Sequence, residues 1–202
     1  MQTPWGESET ITVIGSARTG LLRVTTASHG GIYCTAEAWA RIMRELPGFR
    51  PFAGPRWLEE DCDAAIAVAL WPETASALAR FHTWRMIDSA GTTGTAGVLS
   101  TWMTATPAGR VFASAGAEWA LEHAGEWTQA GGNTTRSGGW RSSWVRVGDG
   151  ARRSIETAGN VRLPALVSSA DLDALAAQPA APALPGCFRG SLVPAGGWSD
   201  DD

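Results

Sequence analysis

Residues 64–70 read Ala-Ala-Ile-Ala-Val-Ala-Leu and carry no polar side chain on any face. Such a run must be buried whichever way it turns. The segment just before it, Trp57-Leu58-Glu59-Glu60-Asp61-Cys62-Asp63, is the densest acidic run outside the C-terminal end. A segment that passes from four carboxylates to none in a few residues enters the core from the surface. The pattern predicts a helix starting near Leu58, with its first-turn carboxylates favoured by the helix dipole. The rest of the chain must then supply layers around residues 64–70. With 202 residues, 44% hydrophobic and 18% charged, it can do so as one ordinary domain without disulfides.

Upstream, residues 9–14 and 21–26 are β-rich and flank a turn at 15–20, which predicts a hairpin. It leads into Ser28-His29-Gly30-Gly31, where two glycines allow unusual backbone angles and would set His29 on a sharp turn at a strand end. Thr35 is a fitting N-cap for a helix to Leu46, whose apolar face is Trp39, Ile42, Met43 and Leu46. Pro47 and Gly48 end it, and residues 48–55 form a loop. Pro72 suits the first turn of a helix to about Trp84.

Beyond a Gly/Thr/Ala-rich stretch at 89–97, residues 98–106 and 110–114 read as strands around Pro107-Ala108-Gly109. A short helix is expected over 118–123, a long turn over 130–139 and strands over 140–147 and 152–157. Gly148-Asp149-Gly150 is the hairpin turn between those two strands. A further strand at 161–167 and a helix capped by Ser168 or Ser169 complete the pattern. Blocks of helices and antiparallel strands, without regular βαβ units, define an α+β fold. The expected architecture is an antiparallel sheet with helices packed on one side. It forms a single domain over 1–177, with 89–97 as the candidate internal break. Residues 178–202, rich in Pro, Ala and Gly with an acidic end, are expected to be a flexible tail.

Composition narrows the function. A net charge of −4 argues against a generic phosphate-backbone binder. The three cysteines, Cys34, Cys62 and Cys187, contain no C-x-x-C pair, so a zinc knuckle is not expected, and buried thiols in a reducing compartment are. No run of membrane length and no signal peptide is present, which points to a soluble cytoplasmic protein with no membrane partner. The glycines of 91–97 lack the lysine and the strand–helix context of a phosphate loop. No cofactor and no metal are expected.

Three segments carry a resemblance. Thr3-Pro4-Trp5-Gly6, Val24-Thr25-Thr26-Ala27-Ser28-His29-Gly30-Gly31 and the 57–63 run resemble, in this order, an uncharacterised bacterial domain family of plasmid, integrative-element and phage proteins. Its motifs are T-P-W-G, V-S-T-x-S-H-G-G and W-[YF]-E-E-D-C-x-W-A. The match is good over roughly the first 75 residues and looser beyond. Leu58 stands where the family tends to an aromatic and Ala64 where it tends to tryptophan. The resemblance implies a mobile-element context and candidate positions; it implies no activity.

Two function classes follow. His29 could act as a general base, with Glu59, Glu60 and Asp61 polarising a water or orienting the ring, in a small hydrolase or nuclease-like enzyme. Against that stands the plainer view of a turn histidine beside a solvated helix start. A Cys–His nucleophile pair is disfavoured because Cys62 enters an apolar helix. The other class is a binding protein of a phage or plasmid that contacts a host protein or complex, for example in counter-defence. Eleven tryptophans against one tyrosine suit core anchors or a binding face. Trp140 and Trp144 interleaved with Arg141 and Arg146 form the candidate binding strand. Such a strand could stack single-stranded nucleic acid, although a solvated sheet face is the simpler expectation. The balance favours binding.

Overall fold

The computed structural model describes residues 1–89, 93–135, 139–161 and 163–178. They contain six helices and three antiparallel sheets, so the fold is α+β. The chain divides into two compact units, Met1–Ala117 and Glu118–Asp202. The stretch 89–97 falls inside the first unit, and its residues 90–92 lie outside the described residues.

The first unit begins with a small hairpin, β1 (Gln2–Thr3) and β2 (Gly6–Glu7). A four-stranded sheet follows, built in spatial order from β3 (Thr10–Val13), β4 (Leu21–Thr25), β5 (Gly30–Cys34) and β6 (Trp57–Glu59). Register decides which side chains share a face, because residues directly opposite in an antiparallel pair point the same way. Leu21 with Cys34, and Ile32 with Leu58, share one face. That face packs with Ile42 and Leu46 of the α1 region (helix Ala36–Glu45) and Ile66 of α2 (Ala65–Leu70) in one core. Thr35 caps α1 as the sequence predicts, its hydroxyl accepting from the Ala38 N–H. Ile66 through Leu70 are each at most 4% exposed, so the apolar run is core. Burying Ile66, Val68 and Leu70 is worth about 2 kcal/mol each.

Three expectations in this unit are corrected. Residues 57–59 are strand, not helix: they pair with β5, and α2 starts only at Ala65. Residues 98–106 and 110–114 are helical, within α4 (Gly94–Ala105) and α5 (Pro107–Glu122). Leu99, Trp102 and Met103 are all buried and recur at i, i+3 and i+4, a helical stripe. Pro107 opens α5, where its missing N–H costs nothing, and the Gly109 N–H donates to the Thr106 hydroxyl. A Cβ at Gly109 would sit 2.2 Å from the Trp102 carbonyl oxygen, so glycine lets α5 start tight against α4. The helix expected from Pro72 is a 3-10 turn over Pro72–Thr74 followed by α3 (Ala77–Ser89).

The second unit is a meander, β7 (Trp127–Thr134), β8 (Trp140–Arg146) and β9 (Arg152–Thr157), with α6 (Ser169–Ala176). Its core joins Trp127, Trp144, Ile155, Val167, Leu172 and Leu175. Gly148-Asp149-Gly150 makes the β8–β9 turn, with Gly150 at φ 72°. Ser168 and Asp171 form the reciprocal cap of α6. Two expectations change here. Strand β7 occupies residues through Thr134, where a turn was expected. Of the strand expected at 161–167, only Val167 pairs, with Trp127, and Arg162 lies outside the described residues. The expected tail also lies outside them, except for Gln178.

Candidate functional site

The three motif segments of the first unit meet at one end of its sheet. Thr26 and His29 close the β4–β5 turn: the Thr26 hydroxyl donates to the His29 carbonyl at 2.8 Å and accepts from the His29 N–H at 3.2 Å. The backbone of His29 is thus fixed while its side chain is exposed. Gly30 and Gly31 do not form the turn. They lie within β5, and neither has a positive φ.

Space, not backbone angle, explains the two glycines. Successive strand residues face opposite sides of a sheet, so their missing side chains leave room on both. A Cβ on Gly31 would lie 2.3 Å from the Trp5 ring and 2.7 Å from the Leu58 carbonyl. A Cβ on Gly30 would lie 2.5 Å from Glu60 Oε2. Trp5 therefore covers one face and the Glu60 carboxylate the other. Trp5 is positioned by its own hairpin, where its N–H donates to the Thr3 hydroxyl and that hydroxyl donates to the Gly6 carbonyl. Its ring meets Trp57 edge-on at 5.5 Å, Trp57 meets Tyr33 at 5.0 Å, and the Arg56 guanidinium lies 4.7 Å over Tyr33.

The acidic run divides by task. Glu59 is buried, and its Oε2 accepts the N–H groups of Asp61 at 3.0 Å and Cys62 at 2.9 Å. Asp63, 1% exposed, accepts from the Phe52 N–H at 2.9 Å and the Thr95 hydroxyl at 2.5 Å. These two carboxylates hold backbone in place: Glu59 closes the turn that links β6 to α2, and Asp63 ties that turn to two other segments. Glu60 and Asp61 are exposed, and of the two it is Glu60 that lies against Gly30, next to His29. Among the described residues no three His, Cys, Asp or Glu side chains group as a metal site. Burial pushes the Cys34 thiol up to about 12, against a smaller opposing pull from Arg56. Cys62 is exposed in the turn before α2, not a buried helix thiol as expected, and it too is raised, by partial desolvation first and then by Glu59 and its acidic neighbours. Both thiols are held away from the reactive thiolate. Cys187 lies outside the described residues.

In the second unit the four candidate residues of β8 do not form one surface. Trp144 is 2% exposed in the core, its indole N–H donating to the Ser142 hydroxyl at 2.9 Å. Trp140 lies over Gly132, where a Cβ would come within 2.6 Å of the ring. Arg141 is held by Glu156 and Arg146 by Asp149, with Arg146 also 5.4 Å over the Trp127 ring. Neighbouring positions on a strand face opposite sides, so Arg141 does not share a face with the two tryptophans.

Two features were not singled out from the sequence. Phe52 is 81% exposed on a loop whose backbone the buried Asp63 clamps. Pro51 and Pro55 mark that loop as stiff, but nothing local shows which of its aromatics faces outward. The other feature is a cleft of about 380 Å³ lined by residues 5–9 and 26–28, with Trp5, Glu7 and Glu9 on its wall. It could not be anticipated, because its two sides come from segments about twenty residues apart.

The first unit is thus an α+β domain in which three motif segments lock together around a glycine pair in the third strand of its sheet. The chain belongs to the family described as Domain of unknown function (DUF7007), whose model matches residues 1–106. No curated protein and no solved structure matches it. The matched span takes in β1 to β6 and α1 to α4 and stops before α5. Among the described residues no helix is long and apolar enough to cross a membrane.

Proposed function

We propose that this protein acts by contact, as an accessory protein of a phage or plasmid that binds a host protein or protein complex in the cytoplasm, as a counter-defence protein would. The observation that carries this reading is where the acidic run spends its carboxylates. Glu59 and Asp63 are occupied by backbone and hydroxyl donors, which leaves the 57–63 motif a framework more than a reaction centre. That framework presents Phe52 to solvent on a fixed loop, and a rigid exposed aromatic is the kind of anchor that dominates interfaces.

The alternative, a hydrolase or nuclease-like enzyme, rests on His29 and Glu60, both exposed and brought to one strand end. One experiment separates the two. Affinity capture from host lysate is run with the wild type, Phe52→Ser and the double variant His29→Ala/Glu60→Gln, each checked for folding by circular dichroism. Contact predicts that a specific partner is retained by the double variant and lost with Phe52→Ser, together with the phenotype. If the double variant keeps its partner but loses the phenotype, the enzyme reading replaces this one.

A further inference from the structure

We infer that the free edge of β3 is a docking strand for an extended basic segment of the partner, which adds to the sheet antiparallel and places an arginine or lysine in the Trp5 cleft. This rests on the contact reading above and names the chemistry of what is bound. Strand β3 is the end strand of its sheet, and all four of its residues are exposed. Its outward backbone groups follow from the ladder. The Ile14 N–H donates to the Leu21 carbonyl at 3.0 Å, and hydrogen-bonded pairs alternate along an antiparallel ladder. Thr12 therefore bonds inward to β4, while the N–H and C=O groups of Ile11 and Val13 point away from the sheet. Natural edge strands are usually blunted by proline, a bulge or charge, and Thr10-Ile11-Thr12-Val13 carries none of these.

The side chains specify the occupant. Ile11 and Val13, 46% and 53% exposed, share one face of the strand. Glu9 lies just before the strand, where its N–H turns inward to the Thr25 carbonyl at 2.8 Å, and it lines the cleft with Glu7 and the Trp5 ring. Neither glutamate is in an ion pair among the described residues. An antiparallel guest thus meets two apolar positions, Val13 and Ile11, and then the acidic cleft beyond the strand's start. It matches them with two apolar residues at alternating positions and a long cationic side chain that reaches the cleft, main-chain bonds giving affinity and the cleft giving specificity. A second copy of this chain fits less well, since residues 9–17 offer no basic side chain to Glu9.

The test uses the full-length protein, labelled with nitrogen-15, and the peptide acetyl-Thr-Val-Thr-Val-Thr-Arg-Thr-amide. Saturable shifts of the Ile11 and Val13 amides are expected, with affinity falling as salt rises. Replacing the peptide arginine by glutamate should weaken binding at least tenfold, and Glu9→Arg should restore the glutamate peptide. Val13→Pro removes only an outward donor, leaves the β4 ladder intact and should lose binding at least tenfold. The charge swap stands alone if the proline variant does not fold. Absence of shifts at millimolar peptide overturns the docking strand, whereas the contact reading falls only with the Phe52 capture experiment. Self-association of the wild type that Val13→Pro abolishes overturns it too, in favour of a second copy at the edge.

Discussion

In the first unit the carboxylates with structural work to do lie inside the protein: Glu59 and Asp63 are 6% and 1% exposed and are satisfied by backbone and hydroxyl donors. In the second unit they lie outside, and three of them pair with arginine: Glu156 with Arg141, Asp149 with Arg146, Asp173 with Arg153. The same chemical group has very different energetic weight in the two settings. A buried carboxylate fixes its donors where water cannot replace it, so its loss strands them. A surface pair gains little over its hydration and is screened by salt. The motif segments are all in the first unit, so the part of the chain that matches the family is also the part where a polar substitution is expected to cost most.

Removing Asp63 is the largest break of this contrast. Asp63→Ala should lower stability by about 3 kcal/mol, because the Phe52 N–H and the Thr95 hydroxyl both lose a charged acceptor in the interior. Urea melts of the wild type and the variant measure it. An effect below about 1 kcal/mol would show that water reaches both donors, and that Asp63 belongs with the surface carboxylates.

The glycine pair sharpens the comparison within one strand. Gly31→Ala pushes a methyl group into the Trp5 ring and the Leu58 carbonyl, neither of which can yield without moving the hairpin or β6. A cost of about 2 kcal/mol is expected. Gly30→Ala meets the end of the Glu60 side chain, which can swing into water, and the Val24 carbonyl only at 3.3 Å. It should cost about 0.5 kcal/mol or less. Thermal melts of the two variants rank them, and quenching of Trp5 fluorescence by acrylamide should rise for Gly31→Ala alone. Equal costs would mean that the glycines serve backbone conformation, as the sequence suggested.

What could be read from the sequence was local. The Thr35 cap, the Ser168–Asp171 cap, the Gly-Asp-Gly turn and the burial of residues 66–70 each depend on neighbours a few positions away. The errors have two origins. Residues 98–106 did carry a helical stripe in Leu99, Trp102 and Met103, which the β-branched and threonine content obscured. The 57–59 strand and the role of Glu59 depend on pairing with Gly31 and Tyr33, more than twenty residues away, so a local rule for acidic helix starts gave the wrong element. The meeting of Trp5 with Gly31 is likewise nonlocal. The motifs marked where the candidate site would assemble, and only the fold distinguished Glu60, against Gly30, from Glu59 and Asp63 within the framework.

The smallest expected effect is at Arg141 and Glu156, the pair that bridges neighbouring strands of the second unit. Their side chains remain 53% and 49% exposed, so water already solvates both ends and the bond replaces hydration more than it adds to it. A double-mutant cycle with Arg141→Ala and Glu156→Ala should give a coupling of about 0.5 kcal/mol, shrinking further in molar salt. The directly opposed positions on β8 and β9 set an upper range of about 1 kcal/mol for such a cross-strand pair. A coupling of 2 kcal/mol or more that survives high salt would mean that the pair is shielded from solvent. Arg141 would then join Asp63 as a framework group, and the division between inward and outward carboxylates would no longer follow the two units.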